Sequence, residues 1–422
     1  MPKFVIRGGS KIEGEIRVAG AKNAALKIFP VAILTDEAIL VSSVPDIEDC
    51  VRAKEMLTTI GGNATEIKKG SVELRSKPPL QTKLPEKLVN KFRASIMFVG
   101  PMLARFNEVE FPHPGGCVIG AAERPIDMFL DGFSKMGAKI IIRNGYYRIT
   151  ARKLRGSTIF FPKVTVTGTE SLMTTAVLID GVTVLKNAAM EPEIVALAEF
   201  LNSLGARIKG AGTPTITIDG VKKLGGGHYD IIPDRIEAGT FAILAAASQG
   251  GEVLIQNIIP EHLEALWAMF DKIGVRYKLE KRSVTVFPSK KLVSADVITH
   301  EYPGFATDLQ PPYTVMMTRT RGVSLIHETI FDRRLLFTDI LSQMGAKIIM
   351  ADPHRVVVHG PSRLEGKKII SPDLRAGIAL VIAALIAEGK SEIENIYQID
   401  RGYEKLDERL RGIGADIIRV DE

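Results

Sequence analysis

The sequence predicts an α/β protein built from six copies of one module. Three observations support this prediction: a recurring hydrophobic residue followed by glycine, a recurring apolar helix, and a hydrophobic content of 45%. The module is longer than solenoid repeats, which span roughly 20 to 50 residues, so each copy is expected to be a small unit of helices and strands. In a chain of 422 residues, six such modules indicate two domains of three modules each.

The first recurring element is a helix that ends at a glycine and is followed by a short β-like run. Glycine suits this position because it readily adopts the left-handed conformation that closes many helices. The glycines follow one another at nearly equal intervals along the chain, which predicts one helix–strand unit in each module. The six pairs are Ile60-Gly61, Met136-Gly137, Leu204-Gly205, Ile273-Gly274, Met344-Gly345 and Ile413-Gly414.

The second recurring element is a helix that is apolar on nearly every face and is therefore expected in the core of its module. Four of the six carry Lys or Arg in the first turn, where the helix dipole disfavours a cation by roughly 0.3 kcal/mol or more. The same helix end attracts anions. Four cations at one module position therefore favour a shared anion-binding surface over four unrelated solvated charges. The predicted starts are Lys22, Arg93, Thr169, Arg235, Asp308 and Arg375.

Composition and charge exclude several classes of protein. The net charge of +6 arises from 55 basic and 49 acidic residues, without the basic, aromatic-rich run of a nucleic-acid track. The most apolar segment, Ala376–Ala387, is too short to cross a bilayer, and the N-terminus lacks a secretory hydrophobic region. No histidine cluster, phosphate loop or dinucleotide motif occurs. We expect a cytoplasmic protein without metal or cofactor, in which Cys50 and Cys117 are reduced thiols.

One segment interrupts the repeat. Residues 112–125 are rich in proline and glycine, which predicts a flexible loop that faces solvent. Cys117 lies in this loop, although most free cysteines are simply small buried hydrophobic residues. Arg124 follows Cys117 in the same loop and would lower the pKa of a nearby thiol, making it a competent acid, base or nucleophile. The residues alone leave both interpretations of Cys117 open.

Six short motifs occur at the helix starts, in this loop and near the C-terminus. They are Gly20-Ala-Lys22-Asn23-Ala-Ala-Leu, Arg93-Ala-Ser-Ile, Pro114-Gly-Gly-Cys117-x-Ile-Gly, Thr307-Asp308-Leu-Gln, Asp373-Leu-Arg375-Ala and Tyr397-Gln-Ile-Asp-Arg401-Gly-Tyr-Glu. With them the sequence resembles the UDP-N-acetylglucosamine 1-carboxyvinyltransferases from Ile6 to Val420, with few gaps. Several of the motifs are specific to that family rather than to its fold.

The resemblance implies the inside-out α/β barrel shared with the shikimate-pathway enolpyruvyl transferase. In that fold, two domains of three modules are joined by a double crossover. Residues 22–231 would form the first domain, which carries the Cys117 loop, and residues 1–21 plus 232–422 would form the second. The six helix starts would then face a cleft that closes when substrates bind.

The resemblance also implies a reaction: transfer of the enolpyruvyl group from phosphoenolpyruvate to the 3′-hydroxyl of UDP-N-acetylglucosamine, with release of phosphate. This is the first committed step of peptidoglycan precursor synthesis and so serves cell-wall biogenesis, cell shape and division. Addition gives a tetrahedral intermediate, and elimination restores the double bond. An acid, a base and several cations are needed, but no cofactor or metal. The expected partners are these two small molecules, with the protein a monomer or weak oligomer.

Residue roles follow from the same resemblance. Cys117 matches the acid, which also forms an adduct with phosphoenolpyruvate, and Asp308 matches the candidate base, with Glu328 as second choice. Lys22 and Arg401 complete the catalytic set. Residues matched to phosphoenolpyruvate are Lys22, Asn23, Arg93, Arg124, Arg375 and Arg401. Residues matched to UDP-N-acetylglucosamine are Asn23, Arg93, Arg124, Pro125, Ile126, Asp127, Lys163, Val164, Thr165, Val166, Gly168, Asp308, Ile330 and Arg334. Ile126, Val164 and Val166 could instead be core residues.

Two features depart from the family pattern. Residues 121–123 separate Gly120 from Arg124, where the family has one residue, and the segment after Lys163 is one residue longer. They affect the placement of Arg124 and whether Thr167 or Gly168 contacts the diphosphate. The sequence leaves two alternative functions. A transferase for shikimate 3-phosphate would lack the loop cysteine and the Lys-Asn pair, and a non-catalytic nucleotide-sugar-binding regulator would require a lesion in the catalytic set.

Overall fold

The computed structural model of the protein describes residues 2–78, 80–115, 126–248 and 250–421. These residues divide into two compact units. The inserted unit contains described residues from Gly20 to Ile232, and the discontinuous unit contains residues 2–19 together with those from Pro233 onward. Each unit has its own core of buried hydrophobic side chains.

Three sheets are present in the described part of the inserted unit, and each joins strands that are distant in sequence. In spatial order, their strands are Gly227–Asp230, Ile39–Ser42, Ser71–Arg75 and Asn63–Lys68; Thr158–Phe160, Val182–Lys186, Thr215–Asp219 and Arg207–Lys209; and Glu108–Pro112, Tyr146–Thr150 and Lys139–Arg143.

The described residues of the discontinuous unit also form three sheets, and two of these take a strand from the N-terminal segment of the chain. In spatial order, their strands are Gly14–Arg17, Val253–Gln256, Ser283–Phe287 and Arg276–Glu280; Val297–Ile298, Gly322–His327, Arg355–Gly360 and Lys347–Asp352; and Lys368–Ile370, Lys390–Glu394, Lys3–Arg7 and Asp416–Val420.

All these sheets share one topology. In each four-stranded sheet, in the orders given, the first two strands are parallel and the remaining neighbours are antiparallel. The three-stranded sheet has the same antiparallel pairs but lacks the parallel first strand. At the position of that strand, Lys83 forms a single parallel bridge with Glu110. The predicted repeat of six modules, three in each half of the fold, is therefore confirmed.

The helices are labelled in chain order. Those of the inserted unit are α1 Lys22–Val31, α2 Glu48–Thr59, α3 Glu86–Val89, α4 Val99–Phe106, α5 Asp127–Lys135, α6 Val166–Ala176 and α7 Pro192–Ser203. Those of the discontinuous unit are α8 Arg235–Ala247, α9 Glu264–Ile273, α10 Gln310–Met317, α11 Thr338–Gln343, α12 Leu374–Ile386, α13 Tyr397–Asp400 and α14 Leu406–Arg411. Short 3₁₀ helices span Ala32–Leu34, Arg93–Phe98, Pro260–Leu263, Thr307–Leu309 and Arg334–Phe337. Among the described residues, no helix has the length and apolar character needed to span a membrane.

The six repeat glycines all have positive φ angles, between 82° and 104°. Each one lies just after the end of α2, α5, α7, α9, α11 or α14 and shortly before a strand. An L-residue with a side chain rarely adopts this backbone conformation, whereas glycine does so readily. The prediction that these glycines close helices is confirmed.

The apolar helices α1, α6, α8, α10 and α12 are buried along nearly their whole length, as predicted. The predicted start of one of them was wrong. Helix α6 begins at Val166 rather than Thr169, because Thr165 caps it: its Oγ1 accepts a hydrogen bond from the Gly168 amide at 3.2 Å. Arg93 and Asp308 lie in 3₁₀ turns that lead into α4 and α10.

Candidate active site

Asp308 is held between two arginines. Its Oδ1 accepts a hydrogen bond from Arg334 Nη2, and its Oδ2 lies against Arg375 Nη2, each at 2.8 Å. The arginine side chains are only 3% and 9% exposed, whereas that of Asp308 is 23% exposed. Two buried cations therefore stabilise the charged carboxylate, and the carboxylate itself remains accessible.

Arg375 is fixed by the start of helix α12. The Asp373 carboxylate caps this helix by accepting hydrogen bonds from the backbone amides of Arg375 at 2.8 Å and Ala376 at 3.0 Å. Burial disfavours the charge on Arg375, but Asp308 offsets this and keeps the pKa of the guanidinium above its usual range. The start of helix α12 thus positions a permanently charged guanidinium against the Asp308 carboxylate.

Glu328 lies behind this pair and is fully buried. Its carboxylate accepts hydrogen bonds from Thr307 Oγ1 at 2.8 and 2.9 Å, and from the backbone amides of Ile330 and Phe331 at 2.9 and 3.1 Å. Arg334 Nη1 also donates to Thr307 Oγ1, at 2.8 Å. A buried carboxylate enclosed by these donors is poorly placed to take a proton from a ligand, which favours Asp308 over Glu328 as the base.

Lys22 is the first residue of α1 and is paired with a residue that sequence analysis missed. Its Nζ lies 2.9 Å from Asp49 Oδ2 in the first turn of α2, and both side chains are at most 10% exposed. Nothing in the sequence links these two positions, because the contact exists only once the two helices pack together. Asn23, next in α1, is half-buried, and so is Arg93 at the start of its 3₁₀ helix.

Arg401 follows helix α13 and is 4% exposed, with Nη1 donating to Gln398 Oε1 at 3.1 Å. It lies in the same unit as Asp308, Arg334 and Arg375. The predicted residues therefore fall into two sets. Those of the discontinuous unit are Asp308, Ile330, Arg334, Arg375 and Arg401; the described ones of the inserted unit are Lys22, Asn23, Arg93, Ile126, Asp127, Lys163, Val164, Thr165, Val166 and Gly168.

The predicted nucleotide-sugar residues of the inserted unit differ in exposure. Ile126 belongs to the core at 2% exposure, and Val164 and Val166 are partly buried against that core. This burial agrees with the alternative that these three are core residues. Asp127, at the start of α5, and Lys163 are exposed, and Ile330 of the other unit is half-buried.

Cys117, Arg124 and Pro125 lie outside the described residues, as does the insertion at positions 121–123. The other cysteine, Cys50, is buried in helix α2. Burial and then the neighbouring Asp49 raise the pKa of its thiol far above the usual range, so it is a poor nucleophile. Within the described ranges, no group of three His, Cys, Asp or Glu side chains could hold a metal ion.

Comparisons with known proteins identify the family of this chain. The family model for EPSP synthase (3-phosphoshikimate 1-carboxyvinyltransferase) matches residues 6–410. The UDP-N-acetylglucosamine 1-carboxyvinyltransferase 3 of Caldanaerobacter subterraneus subsp. tengcongensis is 43% identical, with 100% of both chains covered. The enzyme of Koribacter versatilis with that name is also 43% identical, covering 100% of this chain and 97% of the relative.

A solved structure shows the fold. The enolpyruvyl transferase NikO from Streptomyces tendae superposes with a TM-score of 0.89 over 99% of each chain, at 22% sequence identity. The predicted enolpyruvyl transferase fold is therefore confirmed. With relatives that match over their full length and a family model that spans most of the sequence, the chain belongs to the UDP-N-acetylglucosamine 1-carboxyvinyltransferases of the enolpyruvyl transferase family.

Proposed function

We propose that the protein transfers the enolpyruvyl group of phosphoenolpyruvate to the 3′-hydroxyl of UDP-N-acetylglucosamine and releases phosphate. The observation that carries this proposal is the accessible Asp308 carboxylate held at 2.8 Å by both Arg334 and Arg375. In the proposed reaction Asp308 is the proton acceptor, and the neighbouring arginines suit an anionic substrate. The full-length identity of 43% to enzymes of that name supports the choice of acceptor.

In the proposed addition step, the 3′-hydroxyl oxygen forms a bond to the carbon of phosphoenolpyruvate that carries the phosphate. Asp308 accepts the hydroxyl proton, and the Cys117 thiol donates a proton to the methylene carbon, which becomes a methyl group. The product of this step is a tetrahedral intermediate that still carries phosphate. Fixed hydrogen-bond donors around the phosphate and carboxylate stabilise the charge of this intermediate, and Lys22, Arg375 and Arg401 are the proposed donors.

In the elimination step, the Cys117 thiolate takes a proton back from the methyl group and the carbon–oxygen bond to the phosphate breaks. The departing phosphate takes up the proton held by Asp308. The double bond is restored, so the products are the enolpyruvyl ether of the sugar and inorganic phosphate. Neither step changes an oxidation state or requires a redox cofactor. In this role the product serves peptidoglycan synthesis, and we propose that the reaction takes place in the cytoplasm.

The test is phosphate release by the purified protein with phosphoenolpyruvate and one of two acceptors. We expect release with UDP-N-acetylglucosamine and none above background with shikimate 3-phosphate. Release with shikimate 3-phosphate alone would assign the alternative acceptor. Tight binding of UDP-N-acetylglucosamine without any phosphate release would instead indicate a non-catalytic nucleotide-sugar-binding protein.

A further inference from the structure

Thr307 connects a buried anion to the arginine that holds Asp308. Its Oγ1 lies 2.8 and 2.9 Å from the two carboxylate oxygens of Glu328 and 2.8 Å from Arg334 Nη1. Glu328 and Arg334 are both buried. The hydroxyl therefore links a series of hydrogen bonds that runs from Glu328 through Thr307 and Arg334 to Asp308.

The chemistry of its neighbours fixes the direction of this hydroxyl. A guanidinium can only donate hydrogen bonds, and an ionised carboxylate can only accept them. The Thr307 proton must therefore point to Glu328, which leaves an oxygen lone pair for Arg334. Glu328 itself accepts hydrogen bonds from the backbone amides of Ile330 and Phe331. These amides hold the Glu328 carboxylate in place, so the direction of the hydrogen bonds from Arg334 through Thr307 to Glu328 is fixed.

Arg334 is constrained at several points by this arrangement. One terminal nitrogen is bonded to Thr307 and the other to Asp308, and the guanidinium lies over the Phe331 ring at 5.2 Å. Because the guanidinium is planar and rigid, a shift of the nitrogen that is hydrogen-bonded to Thr307 also moves the nitrogen that is hydrogen-bonded to Asp308. The Thr307 hydroxyl therefore influences the orientation of the Asp308 carboxylate through Arg334, without requiring direct contact between the two side chains.

We propose that Thr307 and Glu328 are positioning residues for the reaction, since they orient Arg334 so that it presents the Asp308 carboxylate to the acceptor hydroxyl. This inference rests on the proposed function, in which Asp308 is the base. Neither residue needs to contact a substrate in this role. Their removal should therefore slow the chemical step more than it weakens substrate binding.

The test compares two substitutions at one position. Thr307→Val keeps the shape but removes the hydroxyl, and we expect kcat to fall about 100-fold, as a misplacement of about 1 Å can cause. The KM values for both substrates should stay within about threefold. Thr307→Ser restores the hydroxyl and should rescue kcat to within about threefold of the wild type.

Two further variants make the result specific. Glu328→Gln retains the shape of Glu328 but removes the charge that orients the hydroxyl, so it should show the same fall in kcat at a nearly constant KM. Thr338→Val is a control for the loss of a threonine hydroxyl in the same unit, because Thr338 is more deeply buried than Thr307 but donates to the backbone oxygen of Leu335 at 2.7 Å, outside this hydrogen-bonded series. It should leave kcat within about twofold. A crystal structure of Thr307→Val should show the contact of Arg334 with Asp308 lengthened or lost.

Three outcomes would overturn the inference. The first is a Thr307→Val enzyme with kcat within threefold of the wild type, and the second is a serine variant as slow as the valine variant. The third is a change confined to KM. If a variant fails to fold, the remaining variants of Thr307 and Glu328 decide by the same criteria. Absence of turnover in the wild type would instead reject the proposed function, and this inference with it.

Discussion

Arg375 Nη2 and Asp308 Oδ2 lie 2.8 Å apart, which joins the start of helix α12 to the turn that precedes α10. A second arginine, Arg334, holds the other oxygen of the same carboxylate. Removing one member of a buried ion pair usually costs more than the pair itself contributes, because the remaining charge is left uncompensated. In the wild type, the charges of these three side chains therefore support one another.

Replacing Asp308 with asparagine tests its assignment as the base. Asp308→Asn should lower turnover by about two to four orders of magnitude, because the amide cannot accept the hydroxyl proton. Calorimetry should still detect binding of both substrates, since the arginines remain. Asp416→Asn, at an exposed position of the strand Asp416–Val420, is the control and should leave turnover within about twofold. A loss below tenfold for Asp308→Asn would place the base elsewhere.

The two cysteines should differ sharply in reactivity. A small epoxide that bears a phosphonate, the fosfomycin type, should alkylate Cys117 once UDP-N-acetylglucosamine is bound. Cys50 should remain unmodified, because burial raises its thiol pKa and excludes the reagent. Peptide mass spectrometry of the treated protein checks this. An adduct on Cys50 alone, or none at all, would contradict a reactive Cys117.

Replacing Cys117 tests its role as the acid. Cys117→Ala should abolish turnover while nucleotide-sugar binding measured by calorimetry changes little, because the proposed sugar contacts are made by other residues. Cys50→Ala is the matched control and should retain turnover, since Cys50 is a small residue of the core of the inserted unit. Full turnover by Cys117→Ala would remove Cys117 from the mechanism.

The repeat could be predicted from the sequence because it depends on local chemistry. A glycine that closes a helix, such as Gly137 or Gly345, is visible in a short window of residues. The start of α6 was missed because Thr165 caps the helix before the apolar pattern becomes clear. The partners of the site could not be predicted at all from local sequence. Asp49 meets Lys22 only through the packing of two helices.

Two repeat glycines of the discontinuous unit should differ in their tolerance of alanine. Both have positive φ, so either change strains the backbone by roughly 1–2 kcal/mol. A Cβ at Gly274 would meet the nearest backbone oxygen at 3.5 Å, whereas at Gly345 it would lie 2.7 Å from the Arg363 oxygen. Gly345→Ala should therefore be less stable than Gly274→Ala by about 1 kcal/mol or more. Urea unfolding followed by Trp267, the single tryptophan, measures this; equal losses would contradict it.

A buried ion pair in the inserted unit should make stability depend on pH. Burial raises the pKa of Glu170 to about 7, against the effect of Lys27, and Glu193 and Glu191 add to the rise. Because the folded-state pKa lies above the unfolded value, this group stabilises the fold at low pH, and the contribution is lost as pH rises from about 4.5 to about 7. The expected loss between pH 5 and pH 8 is about 2 to 3 kcal/mol.

The double variant Lys27→Met with Glu170→Gln removes both charges and is the comparison for this effect. The wild type should lose stability relative to the double variant by that amount over the same pH range. Urea unfolding followed by circular dichroism at each pH gives the difference. A difference that is constant with pH would show that Glu170 does not titrate in this range.

The pairing of the first strand has a consequence for the order of events during synthesis. Lys3–Arg7 lies between Lys390–Glu394 and Asp416–Val420, so both of its partner strands are synthesised long after it. At about 5–20 residues per second, a ribosome reaches them roughly 20–80 s after the first strand has been made. The sheets of the inserted unit use only strands between Ile39 and Asp230. The inserted unit can therefore assemble on the growing chain, while the strand Lys3–Arg7 stays unpaired until the strands Lys390–Glu394 and Asp416–Val420 have been made.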